Sequence, residues 1–254
     1  MCELFGASMR RRTNLTEYLK EFFSHSSKHP HGWGLAFEKN GDIKIEKEPV
    51  CANESRILGS IIEAVPSQKV LLAHIRYATV GAKRTENCHP FSGCDNSGRH
   101  WALIHNGTIY SGMELLKYRC LQKGSTDSER IFMYLLDNIN EVLEKKKDLN
   151  ERERFEIVDR VIRILSPRNK LNLMIFDGEV LYVHKNMRGT LSYKQTGDGV
   201  LLSTQPLESE GWQDLPMCRT FAFKQGEKTF EGFSHGNEFI SSMDSITALD
   251  AMNI

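Results

Sequence analysis

The stretch Leu171-Asn172-Leu173-Met174-Ile175-Phe176-Asp177-Gly178-Glu179-Val180-Leu181-Tyr182-Val183-His184 decides the fold. Two apolar runs of strand length flank an Asp-Gly pair, a strong short-range signal for a β-hairpin. The same design stands nearer the N-terminus, where Leu35 and Phe37 alternate with smaller or polar residues, Asn40-Gly41 turns, and Ile43 and Ile45 return. Further strands are expected over residues 3–9, 70–75, 101–105, 200–203, 220–223 and 228–233. Helices fall between the strand clusters. Asn14 is placed to cap one and Glu17 to close its capping box, with Leu15, Leu19, Phe22 and Phe23 on one face. A second is expected over residues 54–65, grouping Ile57, Leu58, Ile61 and Ile62. Ser125, Thr126 and Asp127 precede a third, which buries Ile131, Phe132, Leu135 and Leu136, and a fourth carries Phe155, Val158, Ile162 and Leu165. Residues 141–154 are densely charged and read as a solvated helix end and linker. Hairpins at both ends with helices between them argue for an α+β layered fold with antiparallel sheets, not a doubly wound parallel one. With no internal repeat and no convincing linker, residues 1–254 read as one domain, weakly patterned after about residue 235.

Composition narrows the function classes. Hydrophobic residues make up 40% and charged residues 26% of the 254, with a formal net charge of +0, so the overall balance favours neither nucleic acid nor an anionic membrane. No apolar stretch approaches the ~20 residues of a membrane span, and the N-terminus lacks the apolar core of a signal peptide. Arg10-Arg11-Arg12 reads as a solvated strand end. The six cysteines contain no C-x-x-C pair, which argues against zinc and for reduced thiols in a cytoplasmic protein.

Cys2 is the residue with the largest chemical consequence. Once Met1 is removed, one residue carries a thiol that titrates near ~8.5 and an α-amine near ~7.7–8.0. That tethers a base of suitable strength to the nucleophile it must activate. The bland alternative is a buried cysteine in a first strand. Amide cleavage by a thiolate also needs oxyanion donors and substrate clamps. Asn106-Gly107, where a buried strand ends, offers a side-chain amide and a backbone N–H, though the pair also suits a plain turn. Arg76 follows an apolar strand, where its fork must be paired, by a substrate carboxylate or by a structural partner. Asp127 is placed either to cap a helix or to hold a substrate ammonium. Residues 79–99 form a long loop of the kind that carries function. His31 and His89, in HGWG and NCHPF, read as hydrogen-bonding loop residues.

Taken in register, MCELFG, HGWGLAF, AHIRYATVG, NCHPF, LIHNGTI and STDSE resemble the class II glutamine amidotransferase domain, an N-terminal-nucleophile hydrolase. Leu202-Ser203-Thr204-Gln205-Pro206-Leu207, followed by Glu210-Gly211-Trp212, is similar to the stand-alone subgroup of YafJ-like proteins, the ergothioneine-pathway amidohydrolase and the yeast-type glutathione-degrading subunit. The likeness runs from Met1 to about Phe223. It implies a four-layer αββα sandwich, with Cys2 as nucleophile and its own α-amine as base. It further implies Asn106 and Gly107 as the oxyanion hole, Arg76 and Thr79 on the α-carboxylate of a glutamine-like substrate, and Asp127 on its α-ammonium. Neither metal nor cofactor is implied. The chain departs from the pattern at Tyr77, where some synthase-linked members have tryptophan, and at His31-Gly32, where relatives often have Asp before Gly-Trp-Gly. No propeptide precedes Cys2, so activation is expected to need only loss of Met1. Three functions fit: hydrolysis of glutamine or a γ-glutamyl amide, a glutaminase subunit delivering ammonia to a separate synthase chain, or a non-catalytic module that binds γ-glutamyl ligands.

Overall fold

The computed structural model describes residues 2–65, 67–78 and 81–241. In chain order the elements are β1 (Glu3–Thr13), α1 (Thr16–Ser24), β2 (Trp33–Lys39), β3 (Asp42–Glu48), α2 (Leu58–Ala64), β4 (Gln68–Ile75), β5 (Phe91–Cys94) and β6 (His100–Thr108). There follow α3 (Asp127–Leu143), α4 (Glu151–Leu165), β7 (Lys170–Phe176), β8 (Leu181–Lys185), β9 (Ser192–Thr196), β10 (Gly199–Ser203), β11 (Gln213–Asp214), β12 (Arg219–Lys224) and β13 (Glu227–Glu231). Short 3-10 turns link them, the longest over Met113–Cys120. One sheet has the order β11-β9-β10-β1-β4-β2-β3 and the other β13-β12-β8-β7-β6-β5, and neighbouring strands pair antiparallel.

Strand alternation builds four layers. On β1, Phe5 and Ala7 pack with Leu19 and Phe22 of α1 and Ile62 of α2. Leu4 points the other way and packs with Ile104, Met174 and Val183 of the second sheet. The outer face of that sheet, with Trp101, Leu103, Leu171 and Leu173, is covered by Ile131 and Leu135 of α3 and Val158 and Ile162 of α4. Three apolar clusters thus fill the three gaps of an αββα sandwich, as the sequence led us to expect. Each large apolar side chain buried there is worth about 1.5–3 kcal/mol. No helix of the described residues is long and apolar enough to cross a membrane.

Several local expectations are corrected. Asn14 does not cap α1 through a box with Glu17. Its Oδ1 instead accepts from the Thr16 N–H at 2.8 Å, and Leu15 occupies the cap position with no side-chain hydrogen bond. The helix expected over 54–65 begins only at Leu58, because the Ser55 hydroxyl accepts from the Leu58 N–H at 3.0 Å and starts it there. Within 79–99, β5 forms an edge strand on β6. Asn106-Gly107 does not end its strand, since β6 runs on to Thr108, pairing Asn106 with Asn172 and Gly107 with Leu171. Thr126, not Asp127, is the N-cap of α3, accepting from the Glu129 N–H at 3.3 Å. Arg154 is not solvated; it is 4% exposed and bonded to Asp177. Residues 10–12 do form exposed ion pairs, to Glu227, Asp198 and Glu38.

Candidate active site

At one end of the gap between the sheets, the start of β1 faces the end of β6 and the start of β7. The strand that carries Cys2 is fixed on both sides. Thr204 clamps Leu4 twice: its N–H donates to the Leu4 carbonyl and its Oγ1 accepts from the Leu4 N–H, each at 2.9 Å. Glu3 points towards the helices, where its carboxylate lies 2.9 Å from His25 Nδ1 and 3.3 Å from His29 Nε2. Burial lowers His29 to about 4, so it stays neutral there.

Cys2 is half-buried, and its sulfur accepts from the Tyr77 N–H at 3.4 Å. Burial pushes the thiol up, while the Tyr77 N–H and the cations Arg76 and Lys170 pull it down. Arg76 leaves β4 with its N–H donating to the Gly32 carbonyl at 2.8 Å. Arg76 is 2% exposed, and its guanidinium donates to the carbonyls of Gly81 and Ala82, each at 3.2 Å, which holds residues 81–82 against it. Asn87 ties this segment to the start of α3: Nδ2 donates to the Ala82 carbonyl at 2.9 Å and Oδ1 accepts from the Ser125 N–H at 2.7 Å. His31 plays the loop role expected of it, accepting from the Ala78 N–H at 2.8 Å. Thr79 lies outside the described residues.

Across the gap, Asn106 is 2% exposed and its Nδ2 has no partner among the described residues. Gly107 must be glycine, because a Cβ there would lie 1.9 Å from the Lys170 carbonyl oxygen. The strands therefore approach closely where the Asn-Gly pair sits. His105 holds the opposite face of the ladder, with Nδ1 2.9 Å from Ser128 Oγ and Nε2 3.3 Å from the Lys170 carbonyl. Asp127 sits at the exit of β6. Its Oδ2 accepts from the Ile109 N–H and its Oδ1 from the Ser128 N–H, each at 2.8 Å, and four lone-pair directions leave room for another donor.

Two features escaped the reading of the sequence. Lys170 is 5% exposed, and burial lowers its ammonium to about 8 against the opposing pull of the Cys2 sulfur. His89, expected as a hydrogen-bonding loop residue, is instead buried against buried His74, with ring centroids 4.0 Å apart and the planes tilted by 54°, and neither ring nitrogen of His89 has a hydrogen-bond partner among the described residues. Burial drives both well below the usual imidazole range, so they are neutral at physiological pH. The signal for Lys170 was present: polar residues at 170 and 172 alternate with leucines in a strand otherwise wholly apolar.

The arrangement gives a thiol, two nearby cations and a buried side-chain N–H donor at the end of the gap between the sheets. Such a set favours negative charge on sulfur and on an attacked carbonyl oxygen. No group of His, Cys, Asp and Glu with metal-site geometry occurs among the described residues.

Comparison with known proteins identifies the family. Residues 1–196 match the family model of class II glutamine amidotransferases. A protein of Methanocaldococcus jannaschii is 30% identical over 259 residues, covering 91% of this chain and 71% of its own length. "Putative glutamine amidotransferase YafJ" of Escherichia coli is 27% identical over 190 residues, covering 72% of each chain. Among solved structures, the glutamine phosphoribosylpyrophosphate amidotransferase of B. subtilis superposes with a TM-score of 0.66 at 16% identity, over 90% of this chain and 48% of its own. This chain thus spans about half the length of that enzyme, and the likeness speaks for the fold. On the extent of the family match, the chain belongs to the class II glutamine amidotransferases.

Proposed function

We propose that the chain cleaves the γ-carboxamide of glutamine or of a γ-glutamyl compound through a thioester on Cys2, releasing glutamate and ammonia or an amine. The observation that carries this reading is the unpartnered Nδ2 of buried Asn106 on the strand facing Cys2.

With Cys2 as the N-terminal residue, its α-amine takes the thiol proton and the thiolate attacks the γ-carbonyl. The S–C bond forms as the carbonyl π electrons move onto oxygen. Asn106 Nδ2 and the Gly107 N–H receive that oxyanion, each donor worth about 2.7–4 kcal/mol in comparable sites. Arg76 and Lys170 add positive potential. The protonated α-amine then gives its proton to the leaving nitrogen, the C–N bond breaks, and water hydrolyses the thioester. Arg76 and Thr79 hold the α-carboxylate of the substrate, and Asp127 its α-ammonium, which fixes the amino-acid end and leaves the γ-substituent to the surrounding loops.

Glutamate release from glutamine and a panel of γ-glutamyl amides tests the proposal. Wild-type protein lacking Met1 is expected to turn over at least one of them, and Cys2→Ala none; full hydrolysis by Cys2→Ala rejects it. The rate of the chain alone separates hydrolysis from delivery of ammonia to a synthase, because a partner-dependent glutaminase stays sluggish until its partner is added.

A further inference from the structure

Asn172 is a buried asparagine that no step above uses. It is 0% exposed, and neither its Nδ2 nor its Oδ1 has a hydrogen-bond partner among the described residues. Its strand explains where it points. On β7, Leu171, Leu173 and Ile175 pack beneath the helices, while Met174 and Phe176 fill the gap between the sheets. By alternation Asn172 faces that gap. It stands directly opposite Asn106 in the β6–β7 ladder, and Asn106 also has an unpartnered Nδ2.

The position of β1 completes the picture. A Cβ on Gly6 would lie 2.6 Å from Met174 Sδ, so β1 passes directly over β7. Four residues back along each strand, the charge of Lys170 acts on the sulfur of Cys2. Asn172 lies between these two crossing points, beneath the strand that carries the nucleophile. A buried carboxamide with both polar ends unfilled is destabilising unless something fills it.

We propose that Asn172 is a positioning and specificity residue for the scissile amide, a reading that rests on the function proposed above. Its Oδ1 accepts from an N–H of the substrate's γ-carboxamide while Asn106 takes the carbonyl oxygen, so neighbouring asparagines hold the two ends of one planar group. As the C–N bond breaks, this contact turns the nitrogen lone pair towards the proton carried by the α-ammonium of Cys2. The site is thereby built for a leaving group that bears an N–H. A γ-ester, which offers none, gains nothing from Asn172.

The test compares L-glutamine with the γ-methyl ester of L-glutamate, which share everything but the leaving group. Asn172→Leu is expected to lower kcat/KM for glutamine about 10²-fold while ester hydrolysis is little changed. The variant should melt at or above the wild-type temperature, since it removes two unpartnered buried polar atoms. Equal losses on both substrates, or no loss on either, overturn the assignment. Binding supplies a readout independent of turnover: in a Cys2→Ala background, Asn172→Leu should abolish the preference for glutamine over the ester measured by calorimetry. Wild-type protein that cleaves no γ-glutamyl substrate, yet shows that preference and its loss, would sink the proposed hydrolysis and leave Asn172 standing. A preference that Asn172→Leu does not alter, or no binding of either ligand, sinks Asn172.

Discussion

Two buried polar clusters lie at opposite ends of this fold, and they are built on opposite terms. Beneath α4, Arg154 donates to Asp177 at 2.7 Å, to the Leu149 carbonyl at 2.7 Å and to Glu179 at 2.8 Å. Asp177 also accepts from the Tyr182 hydroxyl and the Val180 N–H, each at 2.7 Å, and from the Glu179 N–H at 2.9 Å. Burial opposes the Arg154 charge, but Asp177 beside it more than compensates and raises its pKa. Every group there has its partner. Near Cys2 the contrary holds: Asn106, Asn172 and His89 are as deeply buried and carry polar atoms without partners among the described residues. A satisfied network locks a fold, whereas buried polar atoms without such partners are the ones the proposed substrate would satisfy.

Substitutions should therefore separate the clusters, one through stability and the other through activity. Cys2→Ala is expected to lower glutamate release by roughly 10⁴-fold or more while leaving thermal unfolding unchanged. Arg154→Met strands a buried carboxylate and should lose about 3–5 kcal/mol of stability by urea titration, with activity per folded molecule intact. Asn106→Leu inverts that pattern: kcat should fall about 10²–10³-fold with no loss of stability. A large loss of stability in Asn106→Leu would erase the contrast between the clusters.

Lys170 gives the mildest test, through pH. Burial lowers its ammonium to about 8 in the fold against 10.5 for a free lysine, so between those limits the unfolded chain holds more protons. Stability from this group therefore rises with pH through that window, and its penalty is fully present below it. Lys170→Met should be more stable than wild type at pH 7, on the order of 3 kcal/mol, with the difference shrinking from about pH 8 to 10.5. Chemical denaturation at a series of pH values reads this out. A gap that stays constant across that range would show that Lys170 keeps its ordinary pKa.

The same two clusters mark how far the sequence could be read. The strands announced themselves through Asp177-Gly178, Asn40-Gly41 and period-two alternation, and a motif set in register pointed to Cys2, Arg76, Asn106 and Asp127. Arg154 misled because its partner Asp177 is 23 residues away and reads locally as a turn residue. Lys170 and Asn172 stayed hidden for a related reason. Polar residues two apart in a strand ordinarily face water, and only the packing of a second sheet shows that both faces of β7 are covered. The start of α2 turned on the Ser55 hydroxyl, a contact that competes locally with helix.

In the proposed mechanism Cys2, with its freed α-amine, carries the acyl group. Intact-protein and N-terminal peptide mass spectrometry on samples quenched during turnover of a γ-glutamyl substrate tests it most directly. Active protein is expected to lack Met1 and to carry a γ-glutamyl adduct on the peptide beginning at Cys2. Undiminished turnover by protein that retains Met1 quantitatively and carries no adduct there would contradict it.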